Sequence, residues 1–208
     1  MGLMKSLRGA FARRTPLAAR NLGEHVRDVS FKVMGDTDIP LCLSLYSANE
    51  ARHFPRGFLG HYEHGLRGRQ FLNLIALRGG EPVGCGGLVY DAAGNAWFCF
   101  GMVAPAHQRK GIGTALMLAR LALLTPVDGW CAISIMAVPG SVSFYRRFGF
   151  IFLPAAGDAS ATSAFLDVPA AEVEACRTFL AERRIIVPDA HGAIPRTPRP
   201  AASSGLPA

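Results

Sequence analysis

The centre of the sequence contains three apolar segments, 71–77, 83–90 and 96–103, separated by short turn sequences that contain glycine. Short turns connect strands that run in opposite directions, so this pattern indicates an antiparallel meander. From Ile112 onward, apolar residues instead recur at helical spacing. The sequence therefore predicts a sheet whose third strand leads through a glycine turn into an apolar helix.

Shorter segments on both sides extend this prediction. Asp36 to Asp38 is expected to cap a helix that begins near Pro40, and Pro126 is expected to end the central apolar helix. The remaining predicted elements are a strand over 29–34, a broken helix and loop over 53–69, a strand over 130–138, a helix over 141–148, strands over 149–153 and 163–168, and a helix from Pro169.

The turn between the third strand and the central helix reads Gln108-Arg109-Lys110-Gly111-Ile112-Gly113. The first amides of a helix lack internal partners and carry the positive end of the helix dipole. Glycine lets an anion approach such a backbone closely, and Arg109, Lys110 and the Thr114 hydroxyl add further attraction. The turn therefore predicts a phosphate or pyrophosphate site. Alternatively, the glycines serve only a tight strand-to-helix turn, since the common nucleotide-binding motifs are absent.

Composition limits the class of protein. The chain has 208 residues and is 50% hydrophobic, enough for one core without disulfides. No apolar run reaches the roughly 20 residues that span a bilayer, and no secretory signal is recognisable, so no membrane partner is expected. The five cysteines are scattered without a CxxC pair. They suggest reduced core residues of a cytoplasmic protein, with metal ligation as the alternative.

The net charge of +7 is concentrated near the N-terminus. Residues 1–28 hold six Lys or Arg and two Asp or Glu, which gives +4, and the centre of the chain is almost neutral. This distribution argues against a broad nucleic-acid-binding face. Residues 1–28 are predicted to be a basic leader, poorly ordered or partly helical. An organelle presequence and a basic arm that binds nucleic acid are the alternatives.

Two motifs resemble the GNAT superfamily of N-acyltransferases. Gln108, Gly111 and Gly113 fit the acetyl-CoA signature Gln/Arg-x-x-Gly-x-Gly/Ala of that family, and Val103 and Pro105 fit the strand end that precedes it. Downstream, Phe144-Tyr145-Arg146-Arg147-Phe148-Gly149-Phe150 resembles the helix with a tyrosine that meets a Gly-Phe strand start. The resemblance covers residues 29–168.

The resemblance implies an α+β fold with a central mixed, mostly antiparallel twisted sheet and helices on both faces. It implies one acyltransferase domain over 29–168. Outside the resemblance, the residue pattern predicts an appended helix over 169–187, and residues 188–208, with five of the fourteen prolines and no apolar periodicity, are predicted to be a disordered tail. Acetyl-CoA would be the co-substrate, and no metal is expected. The monomer or a homodimer would act on a small-molecule or peptide amine.

In the family, the glycine turn holds the CoA pyrophosphate, and the strand over 101–103 pairs with the pantetheine arm and polarises the thioester carbonyl. By that analogy Tyr145 protonates the leaving thiolate, because phenols and thiolates have similar basicity. The alternative for Tyr145 is a core aromatic role. The residues expected to contact the cofactor are Met102, Val103, Gln108, Arg109, Lys110, Gly111, Ile112, Gly113, Thr114 and Ser141, and Ser141 is also a predicted helix N-cap.

The sequence leaves the catalytic base and the acceptor open. Relatives often carry a glutamate on the strand before the turn, but 96–102 contains no carboxylate or histidine. A base from the polar segment and solvent are the two alternatives. A non-catalytic module that binds acyl-CoA remains the second functional hypothesis. The candidate bases are Glu50, His53, His61, Glu63 and His64.

Overall fold

The computed structural model describes residues 19–54, 57–154 and 161–196. The strands are β1 (Ser30–Val33), β2 (Leu72–Arg78), β3 (Glu81–Tyr90), β4 (Ala96–Val103), β5 (Trp130–Ala137), β6 (Ile151–Phe152) and β7 (Thr162–Pro169). The helices are α1 (Ala19–Leu22), α2 (Ile39–His53), α3 (Leu59–Arg67), α4 (Ile112–Ala122), α5 (Val142–Arg146) and α6 (Ala170–Glu182). Short 3-10 turns cover Asp36–Asp38, Pro105–His107, Pro139–Ser141 and His191–Ala193.

All seven strands form one sheet in the order β1-β2-β3-β4-β5-β7-β6. Neighbouring strands are antiparallel except β4 and β5, which run parallel. The chain passes from β4 to β5 through α4. A crossover is needed because a parallel strand must begin at the same end of the sheet as the strand before it. The predicted α+β fold with a mixed, mostly antiparallel sheet is therefore confirmed.

The sheet has a separate apolar core on each face. Leu74 on β2 belongs to the core under α4 and α6, whereas its neighbour Ile75 belongs to the core under α2 and α3. Successive strand residues point to opposite faces, so one strand serves both cores. The strands read as nearly continuous apolar runs for this reason.

Both ends of the domain lie beyond the predicted boundaries. Val26, assigned to the leader, is buried in the α4–α6 core, and its carbonyl accepts a hydrogen bond from Arg183. Residues 188–196 were expected to be disordered, but the backbone amide of Tyr90 donates to the Pro195 carbonyl and Ile194 is buried. An isolated apolar residue can anchor such a segment without any periodicity. Residues 1–18 and 197–208 lie outside the described residues.

Helix boundaries differ from the expected positions in two places. Asp38 precedes α2, but its carboxylate accepts from the Gly35 amide and from Lys32, so it closes the 3-10 turn rather than capping the helix. Helix α4 ends at Ala122, before Pro126. The polar segment 53–69 contains the regular helix α3 after a short break.

Candidate active site between strands β4 and β5

A cavity opens in the middle of the sheet because β4 and β5 separate. Only residues 96–98 of β4 pair with β5, although β4 continues to Val103 and β5 to Ala137. On its other side, β4 stays paired with β3 through a register shift between Cys85 and Gly87. Phe100 lies at this shift with a φ of 48°, so the strand bulges beside the gap. The resulting cavity has a volume of about 660 Å³.

One end of the cavity is the glycine turn. Gly111 has a φ of 82°, and a Cβ there would lie 3.0 Å from the His25 carbonyl oxygen, so glycine satisfies two constraints at once. Helix α4 starts at Ile112, and the amide of Ala115 donates to the Gly111 carbonyl at 2.9 Å. The amides before Ala115 therefore have no acceptor within the helix. They form a positive end suited to an anion.

The Gln108 side chain braces this turn from within the protein. Its amide group donates to Oδ1 of Asn49 and to the Val103 carbonyl, both at 3.1 Å. Asn49 is buried on α2 and donates to the Leu45 carbonyl at 2.8 Å. Both protons of the Gln108 amide are used in these bonds. The side chain therefore fixes the turn to the end of β4 instead of offering donors to a ligand.

The cavity wall is strongly basic. No Asp or Glu occurs among the described residues that form it. His25 and Asn49 contribute polar atoms, and Lys110 also donates to the Ala106 carbonyl at 2.9 Å. Six side chains in the wall carry a fixed positive charge: Arg27, Arg78, Arg109, Lys110, Arg120 and Arg147.

Tyr145 lies at the other side of the gap from the meander. A Cβ placed on Gly101 would be 3.5 Å from its hydroxyl oxygen, so the phenol faces the bulged part of β4. Its ring packs edge-on against Phe144 and Phe150. Tyr145 thus combines the packing role and the cavity-facing position that the sequence left as alternatives.

The cavity unites most of the residues that the sequence singled out. Among the residues expected to contact the cofactor, Ile112 is the exception, because its side chain is buried in the α4–α6 core. Ser141 lies in the wall but does not cap α5, since its hydroxyl donates to the Val138 carbonyl at 2.9 Å. The predicted residues that form the wall are Met102, Val103, Gln108, Arg109, Lys110, Gly111, Gly113, Thr114, Ser141 and Tyr145.

None of the described candidate bases forms part of the wall. Glu63 instead pairs with Arg67 on α3, and Glu50, His61 and His64 also lie outside the cavity. The side chain of His53 lies outside the described residues. Sequence reasoning missed His25, Arg27, Asn49, Arg78, Arg120 and Arg147 in the wall. Glycines in β3 were the one available signal for Arg120, because a strand glycine often marks the close approach of another group.

All five cysteines are free, and four of them are buried. Burial raises the pKa of Cys176 to about 12 and that of Cys131 to about 11, which keeps both thiols neutral and unreactive. Within the described ranges, no group of three or more His, Cys, Asp or Glu side chains is arranged to hold a metal ion. None of the described helices has the length and apolar character to cross a bilayer.

Known proteins share this architecture. A family model described as an acetyltransferase (GNAT) domain matches residues 69–152, which includes the glycine turn and Tyr145. No curated protein matches the sequence. Many solved structures do, and a putative acetyltransferase from Pyrococcus horikoshii is 24% identical with a TM-score of 0.50. That match covers 62% of this chain and 45% of the other, so the chain spans less than half of that protein.

Two further structures match nearly over their whole length. Ard1 from Thermoplasma volcanium is 18% identical with a TM-score of 0.53, over 68% of this chain and 98% of the other. PaiA N-acetyltransferase from Thermoplasma acidophilum, solved with coenzyme A, is 14% identical with a TM-score of 0.52, over 66% and 97%. The fold is that of the GNAT acetyltransferases. The match of residues 69–152 to the acetyltransferase (GNAT) domain model agrees with this fold.

Proposed function

We propose that this protein transfers the acetyl group of acetyl-CoA to a primary amine that attacks the thioester directly. The observation that carries the proposal is that one cavity joins the glycine turn at the start of α4 to the Tyr145 phenol. A phosphate-binding element and a proton donor in one cavity suit a donor substrate with a pyrophosphate and a distant thioester. The related structure solved with coenzyme A supports the same donor.

The charge of the cavity supports a polyanionic donor. Coenzyme A carries a pyrophosphate and a further phosphate, whereas the wall holds six fixed cations and no described carboxylate. When side chains of like charge line a cleft, the electric field is focused there and attracts ligands of the opposite charge. Gly111, Ile112, Gly113 and Thr114 would hold the pyrophosphate through their amides, and Arg109 would lie next to it.

The open edge of β4 supports a role in binding the pantetheine arm. Beyond Phe98 the edge of β4 that faces β5 has no strand partner in the described part of the chain, so its amides and carbonyls are available to amide groups of a ligand. A backbone amide in the segment from Gly101 to Val103 would polarise the thioester carbonyl. Such a donor stabilises the negative charge that develops on that oxygen during attack.

Proton transfer divides into two parts. Tyr145 would give its hydroxyl proton to the sulfur as the C–S bond breaks. For the amine, no described carboxylate lies in the wall, so the amine would enter neutral and lose its second proton to water. Amines with several positive charges would be repelled by the cationic wall. We therefore favour an α-amine of an amino acid or peptide, or another amine of low pKa, as the acceptor.

A second candidate is a non-catalytic module that binds acyl-CoA, which the missing carboxylate favours. Thiol release from acetyl-CoA, measured with a panel of amines, separates the two functions. We expect turnover with at least one amine and a loss of about 10²-fold in Tyr145→Phe. Stabilisation by CoA without turnover on any amine would support the binding module.

The matched control is Tyr46→Phe. The Tyr46 hydroxyl is buried, has no hydrogen-bond partner among the described residues and lies outside the cavity wall, so its removal tests the loss of a phenol oxygen alone. This variant should keep wild-type turnover. If Tyr145→Phe also keeps it, Tyr145 does not donate the proton. If CoA fails to raise the melting temperature at all, donor binding itself is wrong.

A further inference from the structure

Arg120 is a buried arginine that has no acidic partner among the residues described in the structure. It lies on α4, two turns after the glycine turn, and only 2% of the residue is exposed. Its Nε and Nη1 donate to the carbonyls of Leu116 and Gly87 at 3.4 and 3.5 Å, which are long hydrogen bonds. Nη2 lies 3.8 Å from the Met117 sulfur. No Asp or Glu of the described residues forms an ion pair with it.

The surrounding sequence makes space for this guanidinium. A Cβ on Gly86 of β3 would lie 3.3 Å from Nη1, and a Cβ on Gly101 of β4 would lie 3.3 Å from Nη2. The ring of Phe98 supports the group from one side, 4.6 Å from its carbon centre. Two adjacent strands therefore use glycine where an arginine from α4 reaches the sheet.

Burial of the Arg120 guanidinium lowers the stability of the fold unless an anion binds beside it. A guanidinium does not lose its proton in proteins, so burial cannot neutralise it. Burying a charge without an opposite charge beside it lowers the stability of the fold. Arg120 is one of the residues that line the cavity, and its guanidinium lies beside Gly101, which lines the same cavity. A contribution to the stability of the fold does not explain the unpaired cation. A bound or transient negative charge in the cavity explains it better.

The position of Tyr145 identifies that negative charge. Its hydroxyl oxygen and the guanidinium of Arg120 both lie within 3.5 Å of the same point beside Gly101. The other titratable groups nearby are thiols. Burial raises the pKa of Cys99 on β4 to about 12, which keeps it neutral. Cys85 on β3 lies in the opposite core and contacts the Tyr62 hydroxyl.

We propose that Arg120 is a second catalytic group, whose guanidinium stabilises the CoA thiolate as it leaves. This inference rests on the proposed function of Tyr145 as the proton donor. The amine nitrogen bonds to the thioester carbon, the C–S bond breaks, and its electron pair remains on sulfur. Arg120 stabilises that charge until the Tyr145 proton converts the thiolate to the thiol. The new amide loses its extra proton to water, and water restores the Tyr145 proton.

The first test compares CoA with desulfo-CoA, which lacks the sulfur, by calorimetry on the wild-type protein across a pH series. A cation beside the sulfur lowers the pKa of the bound thiol, so CoA affinity should rise with pH until the free thiol is itself ionised. The affinity for desulfo-CoA should stay nearly constant over the same pH series. We expect the CoA preference to grow by about tenfold or more. A preference that does not change with pH overturns the proposal without any mutation.

The second test assigns the effect to Arg120. In Arg120→Met, which has a similar length and no charge, the pH-dependent preference should disappear, whereas Arg120→Lys should retain part of it. Arg146→Met is the matched control, because Arg146 is exposed and stacks on Phe152 outside the cavity wall. If Arg120→Met keeps the wild-type preference, the guanidinium does not contact the thiolate.

The same variants separate this proposal from two other outcomes. A rise in KM for a carboxylate-bearing amine, with unchanged kcat and an unchanged CoA preference, would assign Arg120 to the acceptor and overturn the thiolate role. If the wild-type protein binds neither CoA nor desulfo-CoA, the proposed function itself is contradicted. Direct absorbance of the bound thiolate gives a readout that does not depend on turnover.

Discussion

The side-chain amide of Gln108 bonds to Oδ1 of Asn49 and to the Val103 carbonyl, both at 3.1 Å, and so joins the glycine turn to α2 and to the end of β4. We expect Gln108→Ala to lower the free energy of unfolding by about 1–2 kcal/mol and to weaken CoA binding by up to about tenfold. Denaturation and calorimetry measure the two effects. Lower stability with unchanged CoA affinity would show that the bonds support the fold but not the turn.

Gly111 offers a test of the turn geometry with a matched control. Gly111→Ala should lose about 1–2 kcal/mol from its positive φ and should also weaken CoA binding, since its Cβ would meet the His25 carbonyl. Gly94 has nearly the same φ, 83°, and no atom of the described residues lies within 4 Å of its Cβ position. Gly94→Ala should therefore lose stability alone. Equal CoA affinity in both variants would argue against a phosphate site at Gly111.

The pH dependence of turnover should be set by the pKa of the acceptor amine rather than by a titrating group of the protein. If no protein group deprotonates the amine, kcat/KM rises with pH until the pKa of the free amine, because only the neutral amine attacks. Amines with different pKa values should move this rising limb by the same difference. Steady-state kinetics on two such amines measure it. A rising limb that stays at one pH for both amines would reveal a base in the protein.

Asp91 should make the fold sensitive to acid. Its carboxylate is buried, and hydrogen bonds from the Asn95 side chain and from the amides of Asn95 and Ala93 hold its pKa below the usual value against the opposing effect of burial. A lowered folded pKa gives stability above the unfolded pKa that is lost as the pH falls through the folded one.

Asp91→Ala should therefore lower the free energy of unfolding at neutral pH by roughly 1–3 kcal/mol and flatten its acid dependence. Denaturation curves at neutral and acidic pH provide the comparison. Asp36→Ala is the control, because that carboxylate is exposed and its ion-pair partner among the described residues is the exposed Arg69. An equal loss in both variants would mean that the turn after β3 does not depend on the carboxylate.

Much of the fold was predictable because its elements depend on neighbours in sequence. The meander over 71–103 and the strand–turn–helix around Gly111 follow from turn residues and apolar periodicity, and both appear in the structure. The disorder expected for 188–196 was wrong, because one buried side chain such as Ile194 leaves no periodic signal. Ser141 does occupy the predicted N-cap position of α5, but its hydroxyl donates to the Val138 carbonyl and makes no capping bond to the helix.

The sequence by itself determined the glycine turn, its place between a strand and a helix, and the resemblance of these residues to the GNAT signature. These features arise from backbone preferences that act over a few residues. Only the tertiary structure decided that Asn49 holds Gln108, that the chain before β1 reaches Gly111, and that the unpaired Arg120 shares a site with Tyr145. These contacts join residues far apart in sequence, and packing alone brings them together.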